Sequence, residues 1–155
     1  MKKYLLFISL FFLLSTYTIS QNLRTGDDGL YYSSDGSLFS GRHTEYFENG
    51  QVKTQMTIQD GQVNGNIYIY FPNGQLHEIR AYKNGIMHGE WATWNNQGVK
   101  VAQAEYYQGQ KNGKWYVWDE SGVLLYDMTY NMGNRSGTWK MFNPEGKMVM
   151  EKSFE

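Results

Sequence analysis

Apolar and polar side chains alternate along most of this chain in short runs, as in Gln75 to Lys83 and Val123 to Asn131. Alternation with a period of two is the signature of half-buried β-strands, and no segment sustains the 3.6-residue spacing of a helix. A glycine interrupts the pattern at fixed intervals. First-position glycines stand at Gly41, Gly65, Gly89, Gly113 and Gly137; a second set at Gly50, Gly74, Gly98, Gly122 and Gly146; a third at Gly61, Gly85, Gly109 and Gly133. The period is 24 residues throughout, without insertion. Such a period marks a repeat architecture, in which each unit buries its apolar face only against its neighbours.

Each unit predicts two strands, over unit positions two to seven and eleven to nineteen, separated by a three-residue loop. The loops are Glu48-Asn49-Gly50, Pro72-Asn73-Gly74, Asn96-Gln97-Gly98, Glu120-Ser121-Gly122 and Pro144-Glu145-Gly146. Proline suits the second residue of a type I turn, and the closing glycine supplies the left-handed residue of a glycine bulge. That loop pairs position seven with eleven and six with twelve, which places the even positions of both strands on one face. Tyr68, Tyr70, Leu76 and Tyr82 then share a face, as do Trp94, Ala102, Ala104 and Tyr106. Trp91, Trp115 and Trp139, at position three, are expected on the opposite and more polar face with Gln103, Glu105 and Asp127. The expected fold is all-β: an elongated, single-layer antiparallel β-meander of 24-residue hairpin repeats. Its repeats begin at residues 41, 65, 89, 113 and 137. A shortened opening unit occupies 30–40, and the polar stretch 21–29 reads as a flexible lead-in.

The first twenty residues stand apart from this pattern. Lys2 and Lys3 precede an apolar run from Leu5 to Leu14, followed by Thr18-Ile19-Ser20. This is the layout of a secretory signal peptide, with cleavage expected near Ser20, because the apolar core is too short for a stable membrane span. Removing it takes two lysines from the 14 basic residues and leaves 12 against 15 acidic, a net of −3 with histidines neutral. That balance argues against nucleic acid as a partner. The chain has no cysteine, so packing without disulfides must hold the exported fold. An exported, cysteine-free chain of this kind fits the bacterial envelope, whether periplasmic, outer-membrane-associated or secreted.

Candidate chemistry is sparse. His43, His77 and His88 fall at different unit positions without a partner at metal-ligand spacing. No nucleophile motif, phosphate-cradling loop or carboxylate pair stands out, and neither a cofactor nor catalysis is expected. The sharper candidate is the row Trp91, Trp115 and Trp139, which on a polar face would offer a stacking ladder to a partner protein, a glycan or a lipid. Inter-unit packing is the competing account of the same row.

One frame recurs across unit boundaries: Tyr82, Gly85, Gly89, Trp91; then Tyr106, Gly109, Gly113, Trp115; then Tyr130, Gly133, Gly137, Trp139. It resembles the MORN repeat, most of all the variant MORN repeats of exported bacterial proteins, over residues 30–155. His43 and Ile58 depart from the aromatic positions in the first unit, and Ile67 replaces tryptophan in the second. The resemblance implies an elongated sheet used for protein–protein contact, in some members for phospholipid binding, and no active-site residues. Some relatives carry an antitoxin label, which suits a cytoplasmic protein better than an exported one.

Overall fold

A computed structural model describes residues 23–155; the expected signal peptide at 1–20 lies outside them. The opening segment holds β1 (Arg24–Thr25) and β2 (Tyr31–Tyr32). The repeats follow as β3 (Gly41–Tyr46), β4 (Val52–Gln59), β5 (Gln62–Val63), β6 (Gly65–Tyr70), β7 (Leu76–Lys83), β8 (Ile86–Trp94) and β9 (Lys100–Tyr107). They continue as β10 (Gln110–Lys111), β11 (Gly113–Trp118), β12 (Leu124–Asn131), β13 (Asn134–Phe142) and β14 (Met148–Phe154). From β3 to β14 the strands join one open antiparallel sheet in chain order, with the short β5 and β10 pairing alongside β4 and β9. The sheet is the all-β meander of hairpin repeats that the glycine period implies.

Within each unit the hairpin closes at the backbone. The N–H of position seven donates to the carbonyl of position eleven at Phe47 and Gln51, Phe71 and Gln75, Asn95 and Val99, Asp119 and Val123, and Asn143 and Lys147. Three residues remain in each loop, and the closing glycine takes a left-handed φ, +81° at Gly98 for example. Asn95 and Asp119 also accept loop N–H groups through their side-chain oxygens, and Asn143 accepts the Lys147 N–H just beyond its loop, which locks the turn locally.

Beyond the loop the sequence-based sorting of faces fails. Position six does pair with twelve, as Trp94 with Lys100, but the next pair is Thr93 with Ala102. Every unit shows the same shift, so the second strand carries one extra residue at position thirteen: Lys53, His77, Val101, Leu125 and Val149. A bulge of one residue reverses which side chains share a face. Positions three and five therefore lie with positions fourteen, sixteen and eighteen. Trp91, Trp115 and Trp139 stand on the same face as Tyr82, Tyr106, Tyr130 and Phe154, not opposite them. The other face carries Tyr116 beside Trp118 and the Lys114–Asp127 ion pair.

Units are joined by two-residue turns, Asp60-Gly61, Asn84-Gly85, Gln108-Gly109 and Met132-Gly133, with both residues at positive φ. This is the type I′ geometry that matches strand twist. The turns also hold the array together lengthwise. Gly61, Gly85, Gly109 and Gly133 each donate an N–H to the residue at position 23 of the preceding unit, namely Phe39, Val63, Met87 and Lys111, at 2.8–2.9 Å.

The opening segment corrects a second expectation. Of the stretch expected as a flexible lead-in, the described residues 23–29 include β1, where Arg24 and Thr25 pair with Tyr32 and Tyr31. The Asp28 carboxylate closes the turn between them, accepting the Tyr32 hydroxyl at 2.6 Å and the Leu30 N–H at 3.0 Å. These bonds, the tyrosine's first, hold the Asp28 carboxyl below the usual carboxylate range. The segment then covers the first repeat: Phe39, Met56, Ile58 and Val63 form the buried cluster, with Leu23, Tyr31, Ile67 and Tyr82 packed against it. Ile58 is only 1% exposed. The aliphatic residues at 58 and 67 thus occupy the ladder positions where Phe39 and Tyr31 need room.

Candidate interaction surface

The aromatic residues at positions three and eighteen form one continuous ladder. Tyr82, Trp91, Tyr106, Trp115, Tyr130, Trp139 and Phe154 follow one another with ring centroids 4.9–5.6 Å apart. Tilted and edge arrangements at these separations are the favoured ones for aromatic pairs. Each indole is also fixed by a hydrogen bond: Trp91 Nε1–H donates to the Ala81 carbonyl at 3.1 Å, Trp115 to Glu105 at 3.0 Å and Trp139 to Thr129 at 2.8 Å. All three donations reach back ten residues, so each position-three tryptophan ties its own unit to the preceding one. First-position glycines make the approach possible; a Cβ on Gly89 would sit 3.1 Å from the Ala81 Cβ. Burial in the ladder pushes the Tyr106 phenol above its ordinary pKa, and neighbouring Tyr82 adds to the shift.

The three tryptophans are thus half-buried members of an inter-unit spine. Their ring faces are not bare either. The Arg80 guanidinium lies 5.6 Å from the Trp91 ring centroid, Lys111 Nζ lies 4.4 Å from Trp115 and 4.9 Å from Tyr130, and the Arg135 guanidinium lies 4.9 Å from Trp139. Lys152 Nζ and Arg135 both lie over Phe154, at 5.2 and 5.5 Å. Arg80 is neutralised by Glu78, whose carboxylate accepts its Nε–H at 2.6 Å. Among the described residues no carboxylate lies at ion-pair distance from Lys111, Arg135 or Lys152, and all three are exposed. Beside them, Met128, Met141, Met150, Trp139 and Phe154 line a recess of about 320 Å³ with Arg135 and Lys152 at its rim.

This row was not singled out from the sequence, although a signal for it exists: Lys111 and Arg135 stand two residues before Gly113 and Gly137. Position 23 runs Phe39, Val63, Met87, Lys111, Arg135 along the array, turning from buried apolar to exposed basic. The histidines are not brought together. His77 packs on Phe71 at 4.3 Å, His88 on Tyr107 at 5.0 Å, and His43 lies 3.7 Å from Glu45. The loop glycines Gly50, Gly74, Gly98, Gly122 and Gly146 stand at the far end of the hairpins, all at positive φ.

With its turns, ladder and unit period in place, the chain can be compared with known families. The model of the MORN repeat variant matches residues 39–60, 63–84, 111–132 and 135–155, more than half of the chain. The chain belongs to the MORN repeat variant family. The stretch from 85 to 110, between the second and third matches, keeps the same frame in Gly89, Trp91, Gly98 and Tyr106. MORN repeats are generally interaction modules, engaging proteins or membrane lipids. No curated protein matches the chain. Among the described residues no helix is long and apolar enough to cross a membrane.

Proposed function

We propose that this MORN repeat protein is an exported, non-enzymatic scaffold whose sheet offers a binding surface to another protein in the bacterial envelope. The observation that carries this reading is the ladder face from the third repeat onward. There a spine fixed by indole hydrogen bonds presents exposed cations and methionines in a regular array. A rigid element with variable side chains above it suits recognition, because little side-chain order is lost on binding. Export rests on Lys2, Lys3 and the apolar run Leu5 to Leu14. A glycan-binding ladder is less well supported. Lys111 and Arg135 occupy the ring faces on which a sugar would stack.

Affinity capture tests the reading. Mature protein, residues 21–155, is cross-linked in an envelope extract and its partners identified by mass spectrometry. A specific, saturable partner protein is expected, together with a mature N-terminus at Gln21 in the cell. Background proteins alone across several growth conditions would refute the scaffold, and an uncleaved N-terminus found in the cytoplasmic fraction would refute export.

A further inference from the structure

Face-specific charge separates the two halves of the ladder. At the N-terminal end the face is closed, since Phe39 and Tyr31 pack over Met56, Ile58 and Val63. Arg80, next along, is paired with Glu78. From the third repeat onward the same face carries Lys111, Arg135 and Lys152 without carboxylate partners among the described residues. Each ammonium or guanidinium rests on aromatic rings, which holds it in place and leaves its outer side to solvent. The row is one-dimensional. The protein as a whole is slightly acidic, at a formal net charge of −1, and on the opposite face Lys114 is paired with Asp127. A local row of cations on an acidic protein selects a linear anion; a flat anionic surface would meet the net negative charge as well.

Resting on the scaffold reading, we infer that the exposed half of the ladder face, through Lys111, Arg135 and Lys152, binds an extended acidic segment of the partner protein, with carboxylates three residues apart on Lys111 and Arg135. The spacing follows from the sheet. Lys111 lies on the line of β10 and β11, and Arg135 on β13, with β12 between them. Two inter-strand steps of about 4.8 Å separate the cations by about 10 Å, about one turn of a polyproline II segment, whose three residues per turn at about 3.1 Å each bring every third side chain to the same side. The segment therefore runs across the strands, parallel to the ladder. Next to Arg135 and Lys152, the recess lined by Met128, Met141 and Met150 accepts one large apolar side chain of the segment. Methionines suit such a pocket because they adapt to the shape that enters. Charge attracts the segment, and the recess fixes its register.

The test uses the mature protein and three probes at low salt, followed by fluorescence anisotropy. The first is a labelled twelve-residue peptide with glutamates at every third position and one terminal leucine. The second has the same composition with its glutamates contiguous, and the third is vesicles containing phosphatidylglycerol. The spaced peptide should bind at least tenfold more tightly than the contiguous one. Lys111→Ala/Arg135→Ala should weaken it at least tenfold, and Lys111→Glu/Arg135→Glu should prefer a spaced arginine peptide. Both positions are exposed, and a single cooperative melting transition with an unchanged circular dichroism spectrum would show that these variants keep the fold. Equal affinity for both peptides overturns the inference, as does full binding by the double variant. Tight vesicle binding without peptide binding also overturns it and makes the row a lipid contact. If the wild-type protein captures a partner from the extract and Lys111→Glu/Arg135→Glu captures it equally well, the acidic-segment inference fails while the scaffold stands. Capture of nothing specific by either protein defeats the scaffold itself, whatever the peptides do.

Discussion

Truncating Trp115 is the sharpest test of the ladder. Its ring meets Tyr106 at 5.2 Å and Tyr130 at 5.3 Å, its Nε1–H donates to the Glu105 carbonyl, and Lys111 sits above it. Two aromatic pairs are worth about 0.5–1.5 kcal/mol each beyond area burial. The hydrogen bond adds about 1 kcal/mol net, and the cation about 0.5–1 kcal/mol at an exposed site. Trp115→Ala should therefore cost about 2.5–5 kcal/mol, the range of aromatic truncation in a core. Trp115→Phe keeps both ring contacts and loses the indole donor, so it should cost about 1 kcal/mol. Urea unfolding followed by circular dichroism measures both, as shifts in midpoint at unchanged slope. A double-mutant cycle localises the effect. Trp115 and Tyr130 should couple by about 0.5–1.5 kcal/mol, whereas Trp91 and Tyr130, separated along the ladder by Tyr106 and Trp115, should add within about 0.5 kcal/mol. A cost below about 0.5 kcal/mol for Trp115→Ala, the usual surface value, would refute the spine. It would return the tryptophans to the role of free contact residues.

Other perturbations probe the turns, the opening segment and the ionisable groups. Gly98→Ala meets no atom within 4 Å but retains φ +81°, so it should cost about 1 kcal/mol from backbone strain alone. Gly61→Ala should cost more, since its Cβ would also lie 2.7 Å from Leu38 Cδ2. Met132 holds φ +46° in a type I′ turn with its side chain exposed. Replacing it with asparagine, as at Asn84, should raise stability by about 0.5–1 kcal/mol in the same urea assay. Ile67→Trp restores the ladder residue beneath the covered end and should destabilise by about 1–3 kcal/mol through overpacking; Phe39→Ala in the same chain should recover part of that loss. Asp119 is depressed by the Ser121 hydroxyl and the Val123 N–H, and Asp28 and Asp35 are likewise lowered. A carboxylate with a depressed folded pKa contributes stability that is present above its unfolded value and lost as pH falls through the folded one. Thermal melts should therefore drop on acidification below the ordinary carboxylate pKa, and Asp119→Asn should lessen that dependence. Tyr106 has the opposite sign: its raised pKa favours the neutral phenol, so its contribution holds below the ordinary phenol value and fades as pH rises through the folded value.

The hairpin loops were legible in the sequence because their chemistry is local. A closing glycine at positive φ, and an asparagine or aspartate at position seven (Asn95, Asp119, Asn143) or nine (Asn49, Asn73) whose side chain accepts a nearby main-chain N–H, specify the turn without help from distant residues. The bulge at position thirteen was not legible. Lys53, His77, Val101, Leu125 and Val149 have no side-chain property in common, and what distinguishes them is only where the strand is displaced. That one residue decided the face on which the tryptophans lie, and hence what they do. The aromatic and glycine frame that links Tyr106 to Trp115 contained both halves of the contact, yet strict alternation placed them on opposite sides. With the spine assigned to packing, the recognition we propose falls to side chains that vary beside it and become exposed from Lys111 onward. Position 23 reads Val63, Met87, Lys111, Arg135 and position sixteen reads Met56, Arg80, Ala104, Met128, Lys152. Substitution at these sites leaves the indole donations and turn bonds in place, because the donors stand at positions three and twenty-one and the acceptors are main-chain carbonyls, at seventeen and twenty-three. The ladder can then stay constant while charge and shape beside it change, which under the proposed scaffold role separates the residues that make the sheet from those that would choose its partner.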